Sequence, residues 1–253
     1  MKYEVITKYL EQNIGKRVFS FTHNEKKYWL KHSEVGEANI WHKVLFVLSK
    51  LLNNNFLKPT VVVDAKASIQ NEAKRLKELD EAGVSVAKLV FSNDDFLVVE
   101  DSGEVLSKLI DDENIKDEFK KEPLKKFATT LATMHNLGFY HSRPALRDAT
   151  YKDDTIYLID FEENLDGLLS LDEAIVRDGF LLIHTLFRKV LKDELVFEAL
   201  EHYKKTLKPH LWQNLVDESK RYNISYFILK HTYNMMGKDA KAIFFTLKYL
   251  KGE

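Results

Sequence analysis

The 253-residue sequence has no cysteine, only four prolines and nine glycines, and no long apolar run. The absence of cysteine excludes disulfides, thiolate nucleophiles and zinc sites built on cysteine, and it is compatible with a reducing cytosol. The longest apolar runs, such as Val44–Val47 and Gly179–Ile183, are far shorter than the roughly 20 residues that span a bilayer. Residues 1–12 include Glu4 and Glu11 and do not resemble a secretory signal. These features predict a soluble, cytoplasmic protein.

The sequence also lacks an excess of charge of either sign, because 38 Lys and Arg residues nearly balance 39 Asp and Glu residues. No overall field would draw the chain to nucleic acid, so nucleic acid is not predicted as a partner. Hydrophobic residues make up 45% of the chain, which is enough to bury a sizeable core. The length allows one domain with two lobes.

The first hundred residues combine β-prone runs with helical patterns. Val18–His23 and Lys27–Lys31 predict a hairpin around a polar turn. Two further strands are predicted at Val84–Phe91 and Phe96–Glu100, on either side of the turn 92–95. Apolar spacing predicts helices over 38–53 and about 67–82, the second with Ser68 as its N-cap and Gly83 as its stop. The helix 38–53 is expected to pack on the smaller lobe, although its apolar face is equally suited to a lid or to a membrane surface.

From about residue 104 onward the pattern is mainly helical, interrupted by 139–161, which ends in the β-prone run Thr155–Phe161. The expected helical ranges are 104–112, 115–137 with Pro123 interrupting, 171–191, 194–207 and, in pieces, 209–250. The predicted fold class is therefore α+β, one bilobal unit with a β-rich N-lobe (1–101) and a helical C-lobe (102–253).

The segment that carries chemistry lies between the helices. A helix ending LATMHNLG (131–138) leads into FYHSRPALRD (139–148), and a short strand then delivers Ile159-Asp160-Phe161. An aspartate that follows an apolar strand is held rigidly, which suits a metal ligand. Phosphoryl transfer needs such carboxylates, together with a cation on the phosphates and a positioned nucleophile.

These motifs resemble the catalytic loop and metal loop of the protein-kinase-like superfamily. The short spacing is similar to that of lipopolysaccharide core kinases, RIO kinases and the small kinase of the KEOPS complex. The resemblance covers roughly residues 18–190. It implies a bilobal kinase-like fold that uses ATP and Mg²⁺ as cofactors.

The resemblance also assigns roles to individual residues. Lys31, on the strand Tyr28-Trp29-Leu30-Lys31, would bind the α- and β-phosphates. Glu72, on the helix predicted over about 67–82, would pair with Lys31. The backbone of Glu100, Asp101 and Ser102 would receive adenine. Asp160 and Asp148 would hold magnesium, and Asp178, in an Arg177-Asp178 pair expected to open an apolar helix, would brace the catalytic loop that contains His141.

The catalytic loop departs from the family pattern. Counting from His141 places Arg143 where the family has its catalytic aspartate, and Asp148 where it has a metal-binding asparagine. The interval between Asp148 and Asp160, 160 − 148 = 12 residues, fits this register. One interpretation is an active enzyme in which Asp148 also orients the acceptor and Arg143 offsets charge on the phosphoryl group. The alternatives are a pseudokinase that regulates a protein partner, and an enzyme of nucleotidyl transfer.

The same segment limits the substrate. Only 178 − 160 = 18 residues separate Asp160 from Asp178, which leaves no room for a long segment that docks a peptide. The residue after Asp160-Phe161 is Glu162 rather than glycine, as in several small-molecule kinases. The expected acceptor is a hydroxyl of a small molecule, a glycolipid or an envelope precursor, and the resemblance extends the prediction to peripheral contact with the cytoplasmic face of the inner membrane.

Each assigned residue also has an ordinary structural explanation. Lys31 would otherwise be a solvated strand residue, and Glu72 would form an exposed helix pair with a neighbouring lysine. Asp148 would cap a turn, and Arg143 would brace the loop. His141 is expected to be a hydrogen-bonded scaffold residue rather than an acid or base.

Overall fold

The secondary structure is taken from a computed structural model that describes residues 1, 3–33, 65–190 and 193–253. The helix expected over 38–53 lies outside these residues. In chain order the elements are α1 (Tyr3–Gln12), β1 (Val18–His23), β2 (Lys26–His32), α2 (Ala65–Glu81), β3 (Leu89–Ser92), β4 (Phe96–Glu100), β5 (Glu104–Val105), α3 (Leu106–Asp111), α4 (Asp117–Asn136), a 3₁₀ turn (Leu146–Asp148), β6 (Ala149–Lys152), β7 (Thr155–Leu158), α5 (Leu171–Lys189), α6 (Asp193–Thr206), α7 (Pro209–Lys220), α8 (Asn223–Thr232), a second 3₁₀ turn (Tyr233–Met235) and α9 (Lys238–Leu250).

The predicted hairpin forms the first two strands of an antiparallel sheet with the order β1-β2-β4-β3. Side chains alternate between the two faces of β1, so Phe19 and Phe21 point inward. They pack there against Tyr28 and Leu30 of β2. Ile6 of α1 is fully buried in the same cluster. The sequence analysis did not predict α1, which covers one face of this sheet.

The helix α2 packs on the sheet through a face that repeats every three or four residues. Ile69 and Ala73 contact Leu97 of β4, and Gly83 ends the helix with a φ of +81°. The prediction of Ser68 as N-cap is wrong, because the helix begins at Ala65 and Ser68 lies inside its first turns. The third strand is also shorter than predicted and begins only at Leu89.

The C-terminal part is mainly helical, as predicted. Pro123 does not interrupt α4, which runs through it for 20 residues. The helix α5 begins at Leu171 after a capping box in which Ser170 and Glu173 bond each other's backbone N–H groups. Arg177-Asp178 therefore lies in the middle of α5 and does not open a helix.

A second small sheet, ordered β5-β6-β7, was only partly predicted. The strand expected over 155–161 ends at Leu158, and the sequence analysis assigned neither β5 nor β6 to strands. Asp153 and Asp154, with φ of +47° and +61°, make the tight turn between β6 and β7.

The chain divides into two units, 1–103 with 157–165, and 104–156 with 166–253. The segment 157–165 belongs to the first unit because Leu158 makes a parallel bridge with Val86. The N–H of Leu158 also donates a hydrogen bond to Ser85 O at 3.0 Å. The sequence analysis placed a single lobe boundary between residues 101 and 102, which would assign residues 157–165 to the helical C-lobe. The predicted α+β class is confirmed, with antiparallel sheets in the N-terminal part and mostly helices in the C-terminal part.

Among the described residues, no helix combines the length and the apolarity needed to cross a membrane.

Candidate functional site

Lys31 is the centre of a cluster of charges in the first unit. It lies on β2, paired with Val18 on one side and Leu97 on the other. Its Nζ lies 2.8 Å from Glu72 Oε2, 2.7 Å from Asp160 Oδ1 and 2.7 Å from Glu162 Oε1. Its side chain is only 15% exposed, so Lys31 is not a solvated strand residue. One ammonium group therefore contacts three carboxylates.

Glu72 reaches this cluster from α2, where it shares the inward face with Ile69 and Leu76. The residue is 4% exposed, so it is not part of an exposed helix pair. Its Oε2 is buried and forms an ion pair with the ammonium of Lys31. Burial raises the pKa of Glu72, and the positive charge of Lys31 opposes that rise.

The other two carboxylates come from the segment after β7. Asp160 has a φ of +71°, a left-handed conformation that aspartate tolerates better than most residues but that still carries strain. Phe161 is 1% exposed and anchors the segment between the two acids. Glu162 also accepts a hydrogen bond from Arg17 Nη2 at 2.7 Å. The turn at Asp160 and the buried ring together present both acids to Lys31.

The sequence analysis missed Glu162 and Arg17 as site residues. The signal for Glu162 was present, since it follows the metal-loop motif and replaces the usual glycine with an acid. Arg17, which precedes β1, is separated from Glu162 by 145 positions, and no local pattern could have joined them.

Burial alone would lower the pKa of Lys31, but Glu72, Asp160 and Glu162 together raise it above its ordinary value. The ammonium therefore stays charged throughout the physiological range. With Arg17, the cluster contains two cations and three carboxylates, a formal charge of −1 when all five are ionised.

The three carboxylates fit a hard divalent cation. One oxygen from each of Glu72, Asp160 and Glu162 can be chosen so that all lie within 4.8 Å of one another. Magnesium prefers oxygen ligands of this kind and usually keeps several waters. Glu72 is the least suited of the three, because it is buried beside Lys31, so Asp160 and Glu162 are the better ligands.

The loop 137–148 belongs to the second unit and is organised by Asp178. The backbone N–H groups of His141 and Ser142 both donate to the Asp178 carboxylate, the second at 3.0 Å. Asp178 is completely buried, and Ser142 has a φ of +86°. Asp178 thus braces the loop by holding two consecutive amides.

The brace continues into the helices. His135 Nε2 lies 3.3 Å from Asp178 Oδ2, and His135 Nδ1 lies 2.9 Å from the Tyr203 hydroxyl. Burial and the nearby Asp178 charge raise the pKa of Tyr203. His135 therefore takes part in the brace through its ring and His141 through its backbone N–H, and Tyr203 is a member that the sequence analysis did not identify.

The two remaining residues that the sequence analysis assigned to a catalytic loop differ in exposure. Arg143 is exposed, whereas Asp148 is 4% exposed and ends the first 3₁₀ turn. Arg147 Nε lies 3.5 Å from Asp148 Oδ1. The structure places Asp148 and Arg143 in the second unit, and Lys31, Glu72 and Asp160 together in the first.

The segment predicted to receive adenine follows β4. Its backbone is already used within the first unit, because the N–H of Glu100 donates to Lys88 O and that of Asp101 to Lys27 O. The Asp101 carboxylate accepts a hydrogen bond from Trp29 Nε1 at 2.7 Å and pairs with Lys27.

No protein-family model matches the chain. An uncharacterized protein of Haemophilus influenzae is 26% identical over 227 residues, which cover 89% of this chain and 84% of that protein. This relative is similar over nearly its whole length, and its name describes no activity.

Proposed function

We propose that the protein is an ATP- and magnesium-dependent phosphotransferase of kinase-like fold, acting on a hydroxyl of a small molecule, glycolipid or envelope precursor. The observation that carries the proposal is the contact of Lys31 with Glu72 and Asp160. The sequence resemblance assigns these three residues to nucleotide and metal binding, and they come from three elements separated along the chain. An ordinary surface ion pair would not need a buried glutamate and a strained aspartate.

In this proposal Lys31 supplies the permanent positive charge that the non-transferred phosphates require, and Glu72 fixes the direction of its side chain. Asp160 and Glu162 offer carboxylate oxygens to magnesium. The bound metal neutralises phosphate charge and orients the phosphoryl group for transfer. Because the cluster without metal has a formal charge of −1, it repels a polyphosphate, and nucleotide binding should depend on the cation.

The roles in the catalytic loop rest on the resemblance. Asp148 is proposed to orient the acceptor hydroxyl and to contribute to metal binding, and Arg143 to offset charge on the transferring group. His141 is proposed to hold the loop through its backbone. The proposed location is the cytoplasm, where ATP is available.

The test is a calorimetric titration of ATP with and without magnesium. Wild-type protein should bind ATP only with the metal, and Asp160→Ala should weaken binding by tenfold or more, which is the loss expected from about 1.4 kcal/mol. Asp80→Ala, on the exposed side of α2 in the same unit, is the matched control and should bind as wild type does. If wild-type protein shows no magnesium-dependent ATP binding, the proposal fails.

The second candidate is a nucleotide-binding pseudokinase that regulates a protein partner, favoured by Arg143 at the family's catalytic-aspartate position. It predicts normal ATP binding without turnover on any hydroxyl acceptor. Nucleotidyl transfer is distinguished from phosphoryl transfer by mass spectrometry of the product, since the added group is a nucleoside monophosphate in one case and a phosphoryl group in the other.

A further inference from the structure

The helix α8 is apolar on two faces. One face packs Tyr226 and Leu229 into a cluster with Phe244 and Leu247 of α9, and Tyr226 stacks on Phe244 with ring centroids 5.4 Å apart. The opposite face exposes large apolar side chains.

The exposed side chains form one stripe along α8. Ile224, Phe227 and Ile228 are 78%, 63% and 54% exposed, and their spacing of three and four residues places them on one side of the helix. Met235, seven residues after Ile228 in the following 3₁₀ turn, is 90% exposed. We name these four residues the outer stripe. Single exposed hydrophobic residues are ordinary, but a contiguous set of this size marks an interaction surface.

The charge around the outer stripe is strongly positive. Residues 220–253 contain seven Lys or Arg residues and two acidic residues, a formal charge of +5 in a chain whose net charge is −1. Lys238, Lys241 and Lys248 of α9 form no ion pair with any described residue, and Asp239 is neutralised by Arg188. Lys220, Arg221 and Lys230 are in ion pairs with acidic side chains, so the positive charge available to a partner comes mainly from the three lysines of α9.

We propose that the outer stripe inserts into the surface of an anionic phospholipid bilayer, with the surrounding lysines on the headgroups. An amphipathic helix with a Phe-containing apolar face and nearby Lys residues has the composition of an interfacial helix. A second copy of the chain is a poorer occupant, because two copies of the same lysine-bearing segment would repel each other. This proposal does not depend on the proposed function, and it involves a different segment from the helix predicted over 38–53.

The experiment is flotation of the full chain with vesicles of phosphatidylcholine and phosphatidylglycerol, compared with phosphatidylcholine alone. Wild-type protein should float only with the anionic vesicles. Binding should weaken at least about tenfold when salt is raised from about 0.1 M to about 1 M, where the screening length falls to about 3 Å. The double variant Phe227→Ser/Ile228→Ser should lose at least about tenfold in partitioning.

The matched control is Phe119→Ser, since Phe119 is 65% exposed on a different helix and should not affect flotation. Circular dichroism and thermal melting establish that each variant is folded, and the salt dependence of the wild type tests the proposal without any variant. The proposal is overturned if wild-type protein does not float with anionic vesicles, or if the double variant floats equally well. A concentration-dependent dimer that ignores vesicles would instead assign the stripe to a second copy of the chain.

Discussion

At the scale of single residues, two opposing electrostatic effects act on the Glu72 carboxylate in the Lys31 cluster. Desolvation of a buried carboxylate is unfavourable, and the nearby ammonium offsets much of it. Lys31, in turn, is stabilised in its charged form by three acids. The two residues are therefore unequal partners, because Lys31 without Glu72 keeps two carboxylates, whereas Glu72 without Lys31 is left as a buried, uncompensated charge.

This inequality predicts different costs for removing the two partners. Lys31→Met should lower the free energy of unfolding by about 3 kcal/mol or more, and the double variant Lys31→Met/Glu72→Gln should recover at least half of that loss. Urea denaturation of the three proteins measures both effects. Lys27→Met is the control, because Lys27 lies on the same strand, is itself exposed and pairs with a single carboxylate, that of Asp101, so its loss should cost no more than about 1 kcal/mol. A loss below about 1 kcal/mol in Lys31→Met would contradict the argument.

The raised pKa of Glu72 predicts a pH dependence of stability. The folded protein holds this proton more tightly than the unfolded chain, where the pKa is near 4.5, so ionisation disfavours the folded state as pH rises above that value. The free energy of unfolding of wild type, minus that of Glu72→Gln, should fall between pH 4.5 and the folded pKa. The slope cannot exceed about 1.4 kcal/mol per pH unit for one proton. The measurement is a set of urea denaturation curves over this pH range. If the difference in unfolding free energy between wild type and Glu72→Gln stays constant or rises with pH, the prediction is wrong.

At the scale of elements, two hairpins use the same turn with different support. Asn24 and Glu25 connect β1 and β2 with φ of +48° and +62°, and Asp153 and Asp154 connect β6 and β7 in nearly the same conformation. Asp154 is also held by side chains, because its carboxylate accepts from the Tyr151 hydroxyl at 2.8 Å and pairs with Lys126. Among the residues that the structure describes, none makes such a side-chain contact with Glu25.

Glycine should therefore help one turn and not the other. Glu25→Gly should raise the free energy of unfolding by about 0.5–1 kcal/mol, because glycine adopts positive φ without strain and favours this type of turn. Asp154→Gly should give no gain, since the relief of strain is offset by loss of the contacts with Tyr151 and Lys126. Thermal melting of both variants is the measurement. Equal stabilisation by the two substitutions would show that the side-chain contacts of Asp154 contribute little.

At the scale of the whole molecule, charge and chain connectivity are distributed unevenly. Residues 220–253 have a formal charge of +5, so the rest of the chain has a formal charge of −6 and the near-neutral total conceals a strongly basic end. The first unit is also discontinuous along the chain, because it includes the segment 157–165, which lies within the sequence of the mainly helical second unit. That segment supplies Asp160 and Glu162 to the strand that carries Lys31.

The amino-acid sequence by itself determined the α+β class, the first hairpin and most helix positions, and its resemblance to a known superfamily grouped Lys31, Glu72 and Asp160. These features depend on local periodicity or on ordered motifs, which are present in the chain before it folds. Helix starts and short strands were less predictable, as Ser68 and β5 show, because tertiary contacts decide where an element begins and ends.

Only the tertiary structure decided how these residues are used. It buried Glu72, brought Glu162 to the ammonium of Lys31 and Arg17 to Glu162, and gave Asp160 its positive φ. It also joined His135 to Asp178 and Tyr203 to His135. The exposed face of α8 was also decided only by the tertiary structure. A helix sequence with apolar residues on two sides does not indicate which side packs against the rest of the protein. Each of these outcomes depends on contacts between residues far apart in the chain, whose positions no local pattern encodes.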